Sequence, residues 1–299
     1  MNEITAPIFV VGHPRSGTTL LASMLGRHPD FASTPETQYL SQARYLLAQS
    51  RKQGPHALAR AAMQSPLKYL ITDPDEYENM LTRAADGRPL DERIVFSVAL
   101  EHFRRAHGAH RVVEKTPWHL RGMDRLVSWF PDCRIVWIVR DGRACVRSLQ
   151  KVKGAPNDAR VLARQWARNM AFGRVLSEQA GDRLATVRYE DLIADPEREL
   201  TRLCDHLGVA LDPAMLDTSR GTNVIKPNET AHKTKVNTPV DASRAEAWRT
   251  ELSARDLADM APIMNETLAA LGYPTEPVPA TFETQRARLL GTAPAVHLQ

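Results

Sequence analysis

Ile8-Phe9-Val10-Val11-Gly12-His13-Pro14-Arg15-Ser16-Gly17-Thr18-Thr19 is the stretch that decides the fold. Its four leading apolar residues form a continuous run, as in a strand covered on both faces. Two glycines bracket a turn, and Leu20, Leu21, Met24 and Leu25 then fall on one helical face. Strand, turn and helix in this order match the P-loop pattern G-x-x-x-x-G-K-[ST] at every defined position but one. Backbone N–H groups and the helix N-terminus form an anion cradle there, and Gly17 permits close backbone approach. The departure is Thr18, which stands where a nucleoside triphosphatase has its lysine, so the usual clamp on β- and γ-phosphates is missing. Arg15 brings positive charge to the loop from another direction.

Working outward, short apolar runs alternate with helical periodicity, the pattern of βαβ units. Arg111-Val112-Val113-Glu114, Arg134–Val139 and Ala185-Thr186-Val187-Arg188-Tyr189 read as further strands. The run 134–139 does not alternate, as expected of a parallel strand with helices on both sides. After Pro117, Leu120, Met123, Leu126, Val127 and Phe130 recur at helical spacing. Leu200, Leu203, Cys204 and Leu207 mark another helix, which Gly208 should stop. Ser253 with Asp256 should open a late helix bearing Leu257, Met260, Met264 and Leu271.

The expected architecture is α/β: a three-layer, P-loop NTPase-like fold with a central parallel sheet flanked by helices. Residues 38–108 are polar and helical with no convincing strand, and read as a helical insertion on the substrate side. Residues 218–240 lack apolar periodicity, and so long a loop is either functional or disordered. One domain over 1–275 with a C-terminal extension over 276–299 is the expected organisation.

The chain has 299 residues with 39 basic and 35 acidic side chains, a formal +4. That is too small a charge to imply nucleic-acid binding. No apolar run reaches the length of a membrane span, and the first residues have neither the basic region nor the apolar stretch of a signal peptide. Cys133, Cys145 and Cys204 are too few and too scattered for a disulfide framework or a zinc site, which points to a cytoplasmic protein. The histidines show no metal spacing, so no metal is expected. Oligomeric state is left open, with a homodimer as one alternative.

Pro14-Arg15-Ser16-Gly17-Thr18-Thr19 resembles the 5′-phosphosulfate loop of the sulfotransferases that use 3′-phosphoadenosine 5′-phosphosulfate (PAPS). Among these, the motifs are most similar to the tyrosylprotein sulfotransferase branch. The likeness runs through Leu25, His28-Pro29 and Glu36-Thr37, resumes over Val139-Arg140-Asp141-Gly142-Arg143-Ala144, and recurs at Leu271-Gly272-Tyr273. It implies PAPS as the donor of a sulfuryl group to an acceptor hydroxyl, with Arg15, Ser16, Gly17, Thr18 and Thr19 at the phosphosulfate. Arg140 and Ser148 are the implied contacts of the 3′-phosphate. A strand-end arginine such as Arg140 also suits a bidentate phosphate contact on physical grounds, since ligands gather at the carboxyl edge of a parallel sheet.

Sulfuryl transfer is like phosphoryl transfer, with in-line attack and charge building on the departing oxygen. Lys115 looks like the family's cation at that oxygen. Two residues compete as base. Glu36 matches the carboxylate of the tyrosylprotein branch, while His119 matches the histidine base of many sulfotransferases that act on small molecules. Tyr189 could pack on the adenosine or belong to the core. The resemblance also implies a basic loop over the nucleotide near 218–240, where Lys226, Lys233 and Lys235 stand. Gln38 replaces an arginine that contacts acidic peptide in the tyrosylprotein branch. The expected acceptor is therefore a small alcohol, phenol, lipid or sugar as readily as a tyrosine. A small-molecule kinase using ATP and magnesium, or a non-catalytic sensor of PAPS or its product, are the alternatives.

Overall fold

In the computed structural model, residues 6–217, Val224 and residues 242–278 are described. The lysines of the 218–240 segment and most of the C-terminal extension lie outside them.

Five strands form one parallel sheet: β1 (Ile8–Gly12), β2 (Phe31–Ser33), β3 (Arg111–Lys115), β4 (Arg134–Val139) and β5 (Leu184–Arg188), in the order β2-β3-β1-β4-β5. Every pairing is parallel. Ile8, Phe9, Val10 and Val11 are fully buried, as are Ile135, Val136 and Ile138, so the non-alternating runs do mark strands covered on both faces. The register pairs Val10 with Lys115 and Gly12 with Ile138. The carboxyl ends of β1, β3 and β4 thus finish at one edge, beside the glycine-bracketed turn.

The helices follow in chain order. Helix α1 (Thr18–Leu25) leaves the turn after β1. The 38–108 segment holds α2 (Tyr39–Met63), α3 (Pro74–Ala85) and α4 (Glu92–Ala106), with no strand among its described residues. Asp73 and Asp91 cap α3 and α4 through side-chain oxygens, satisfying N–H groups with no intrahelical acceptor. The apolar residues after Pro117 are first a tight 3₁₀ turn, Pro117–Gly122, and only then α5 (Met123–Trp129). Beyond β4 come α6 (Gly142–Gln150), α7 (Ala159–Ala180), α8 (Tyr189–Ala194) and α9 (Pro196–Leu207), the last closed by Gly208 at φ 73°. Two more, α10 (Trp248–Glu251) and α11 (Ala254–Ala270), end the described chain, and Ser253 caps α11 through Asp256 as the sequence predicts.

Three points differ from the sequence reading. Strand β2 is only three residues long, too short to show a period. Helix α7 has an interrupted apolar face that the reading assigned to no element. Tyr189 opens α8 and does not end β5.

Contacts divide the chain into two compact units, residues 1–140 with 172–242, and residues 141–171 with 243–299. The first contains the sheet and the helical insertion. The second packs α6 against α11: a Cβ on Gly142 would lie 2.0 Å from Met264 Cε and 2.6 Å from the Trp166 ring. Its buried Arg143 donates to Asp141 at 3.0 and 2.7 Å and to Glu276 at 2.6 Å, and its guanidinium lies 4.0 Å from the centre of the Trp248 ring.

Candidate active site

The turn between β1 and α1 has two residues in the left-handed region, Arg15 at φ 71° and Gly17 at φ 96°. Left-handed residues alternating with right-handed ones turn successive N–H groups toward one concave side, the geometry of an anion nest. The first-turn N–H groups of α1 add to it, since they have no acceptor within the helix. Ser16 and Thr18 are buried in the turn, and Thr19 is half-buried beside them. A side chain at Gly17 is excluded twice, by its φ and because a Cβ would stand 2.4 Å from Tyr189 Cδ2.

Arg15 is not a glycine, and its left-handed backbone costs on the order of 1–2 kcal/mol. Arg140, one residue past β4, holds that conformation by donating from Nη1 to the Arg15 carbonyl at 3.0 Å. Its guanidinium also stacks on the Tyr189 ring, 4.0 Å from the centroid. Tyr189, Gly17, Arg15 and Arg140 therefore make one layered contact at the sheet edge. His13 in the same turn is fully buried and held neutral: burial first, then the Arg121 charge, lower it to about 3.

The candidate base and cation meet. Lys115 Nζ donates to Glu36 Oε1 at 3.0 Å, with the lysine fully buried and the glutamate side chain 15% exposed. Lys115 ends β3, and Glu36 lies on the segment between β2 and α2. Two residues later Gln38 caps α2 at φ 49°, an exposed non-glycine residue in the left-handed region. Its N–H donates to Thr116 Oγ1 at 3.3 Å, and its carbonyl accepts from Ser41 Oγ at 2.7 Å.

His119 occupies a different setting. Its Nδ1 is 3.0 Å from Glu114 Oε2, its Nε2 accepts from the Leu40 N–H at 3.4 Å, and the residue is 2% exposed. Accepting at Nε2 assigns the ring proton to Nδ1 and leaves neither nitrogen for a substrate. Glu114 is fully buried and accepts at Oε1 from Thr37 Oγ1 at 2.8 Å and from Thr116 Oγ1 at 2.6 Å. Burial alone would raise its carboxyl. The His119 ring and the two hydroxyls outweigh that and hold it below the usual carboxylate range.

The first unit thus brings together Arg15, Ser16, Gly17, Thr18, Thr19, Arg140 and Tyr189 around the turn, and Glu36 with Lys115 beside it. Ser148 is half-buried on α6, in the second unit. Glu114, Thr37 and Thr116 have no assigned role in the sequence reading. The signal was in the text, since each is a direct neighbour of Glu36 or Lys115. Among the described residues no group of three or more His, Cys, Asp or Glu is placed to hold a metal ion, and no helix is long and apolar enough to cross a membrane.

A family model described as the sulfotransferase family matches residues 7–213. Protein-tyrosine sulfotransferase 1 of Danio rerio is 26% identical over 292 residues, spanning 92% of this chain and 74% of its own. Among solved structures, the sulfotransferase domain of the Synechococcus PCC 7002 olefin synthase superposes with a TM-score of 0.69 at 22% identity, over 92% of this chain and 98% of that one. A mouse sulfotransferase solved in complex with PAP shares the fold at TM-score 0.51 and 13% identity, over 88% of this chain and 85% of its own.

Proposed function

The chain belongs to the sulfotransferase family, and we propose that it takes a sulfuryl group from PAPS and passes it to an acceptor hydroxyl, with Glu36 as base and Lys115 as the cation at the leaving oxygen. The contact that carries this reading is Lys115 Nζ to Glu36 Oε1 at 3.0 Å, at the sheet edge where β1 enters its anion-binding turn. The turn fits such a donor on its own chemistry: two left-handed residues, an open helix N-terminus, three hydroxyls and Arg15 all suit a doubly charged anion. PAP bound in the mouse relative supports the same nucleotide class here.

Bound at this turn, the donor supplies the sulfuryl group and the phosphate that departs. Ser16, Gly17, Thr18 and Thr19 would hold it through N–H and hydroxyl donors, and Arg140 would take the 3′-phosphate. Lys115, buried and in contact with Glu36, offers N–H donors to developing negative charge in a site of low dielectric, where such contacts are strong. Glu36 accepts the acceptor's proton at a carboxylate oxygen. The choice of Glu36 over His119 follows from access: the glutamate reaches solvent, while both imidazole nitrogens are engaged inside the protein.

The acceptor enters on the side of Glu36. Trp118, 37% exposed, lies three residues past Lys115 on the 3₁₀ turn, with the Arg121 guanidinium 4.7 Å from its ring centre. This aromatic surface and the likeness to protein-tyrosine sulfotransferases favour phenolic hydroxyls, in a peptide or a small molecule. The test is transfer of labelled sulfate from PAPS to p-nitrophenol and to tyrosine peptides. Wild-type protein should label an acceptor and Glu36→Gln should not; equal labelling by both removes Glu36 as base.

A further inference from the structure

Glu101, Asp141 and Glu199 are buried carboxylates that each face an arginine. Glu114 faces none. Its partners are the Thr37 and Thr116 hydroxyls and the His119 ring. Burying a carboxylate without a permanent cation costs several kcal/mol, and an apolar residue of similar size would pack there at less cost. A charge kept in such a place has a use other than stability.

The groups that donate to it show the use. Adjacent strand residues point to opposite faces, so at the end of β3 Lys115 and Glu114 diverge. They engage adjacent residues of one segment: Lys115 holds Glu36, and Glu114 holds Thr37. Thr116, the next residue, accepts at Oγ1 from the backbone N–H groups of Thr37 at 3.0 Å and Gln38 at 3.3 Å, while its own proton goes to Glu114. The segment is thereby held by the backbone N–H groups of Thr37 and Gln38 on Thr116 and by the Thr37 hydroxyl on Glu114, which holds Gln38 in its left-handed conformation.

We propose that Glu114 is a positioning residue, which through the Thr37 and Thr116 hydroxyls sets the backbone of residues 36–38 so that the Glu36 carboxylate stands on Lys115. Its consequence for turnover rests on Glu36 being the base; the positioning itself does not. A glutamine at 114 cannot replace the carboxylate. With its N–H₂ toward the ring it would face the His119 Nδ1–H, and turning the imidazole proton to Nε2 would set it against the Leu40 N–H; with the amide reversed, the N–H₂ would face Thr116 Oγ1, which already accepts from the Thr37 and Gln38 N–H groups.

The experiment is a double-mutant cycle on the Glu36–Lys115 pair, Glu36→Gln with Lys115→Met, read by urea unfolding in three backgrounds: wild type, Thr37→Ser and Thr37→Val. Serine keeps the hydroxyl and should retain the coupling. Valine removes it at nearly constant volume and should lower the coupling by at least about half. Should the valine variant not fold, Glu114→Gln serves as the third background with the same expectation. Coupling unchanged in the background lacking the hydroxyl or the carboxylate overturns the proposal. With PAPS and p-nitrophenol as probe, Glu114→Gln should also lower kcat at least about tenfold while PAP affinity stays within about threefold. A parallel loss of both marks a general structural role and overturns it as well. Full activity of Glu36→Gln would instead overturn the choice of base and leave the cycle result standing.

Discussion

The Arg140 guanidinium lies 4.0 Å from the centre of the Tyr189 ring while donating to the Arg15 carbonyl. A cation over an aromatic face is worth about 0.5–2 kcal/mol, more when shielded from water. Here it also fixes the backbone of the turn between β1 and α1. Tyr189→Phe keeps the face and should bind PAP within about threefold of wild type, whereas Tyr189→Ala should weaken binding at least about tenfold. Calorimetric titration distinguishes them, and equal affinities for the alanine and wild-type proteins would detach the stack from the turn.

Gly17 lies against that same ring. Gly17→Ala would combine a left-handed alanine with a Cβ 2.4 Å from Tyr189 Cδ2. The expected cost is about 1–3 kcal/mol of stability, seen as a lower Tm, together with lost nucleotide binding. Retained binding with normal Tm would show that the turn has another conformation within reach.

Removing the lysine should separate chemistry from binding. Lys115→Met fills the buried space but supplies no cation to Glu36 or the leaving oxygen. Turnover should fall at least about a hundredfold, in the range known for loss of one donor to developing charge, with PAP affinity little changed. Single-turnover kinetics beside calorimetry reads both quantities.

Acid should destabilise the protein through buried histidines. His13 is lowered to about 3, chiefly by burial, and burial also lowers His102 and His206. His102 shows why: its Nε2 accepts from the Thr72 and Asp73 N–H groups at 3.1 and 3.3 Å, which an imidazolium cannot do. In the folded protein these rings take up protons at lower pH than in the unfolded chain, where the ordinary value is 6.5. Stability is therefore full above that pH and falls as pH drops toward the folded values. The lowered Glu114 carboxyl adds loss at the acid end. Tm measured from pH 8 to 5 should decline below about 6.5, and His102→Gln should flatten part of that decline.

Much of this was legible in the chain because the relevant signals are local. The continuous run at 8–11, Gly17 before α1, Gly208 after α9 and Ser253 with Asp256 each specify their element through near neighbours. Glu36 and Lys115 were readable by resemblance, though 79 positions apart, and the contact between them is a property of the fold. Adjacency to Lys115 marks Glu114 in the sequence but not its role, which lies in Thr37, 77 positions away and brought to it by strand order and register, and in His119, folded back onto it by the 3₁₀ turn after β3. Strand β2 escaped because three residues carry no period, and its pairing with β3 defines it. The apparent strand residue Tyr189 was misplaced by one position, since an aromatic residue suits a strand end and a helix start alike.

Binding of 3′-phosphoadenosine 5′-phosphate, titrated calorimetrically beside ATP with magnesium, tests the central claim most directly. Thr18 in place of the lysine, Arg140 at the strand end and the hydroxyl-lined turn call for tight binding of the bisphosphate and none of ATP. The bisphosphate at about a hundred times its Kd should also add about 2.7 kcal/mol of stability, a check available by thermal melting. Binding of ATP with magnesium alone would contradict the account and return the turn to the nucleoside-triphosphate chemistry its glycine spacing shares.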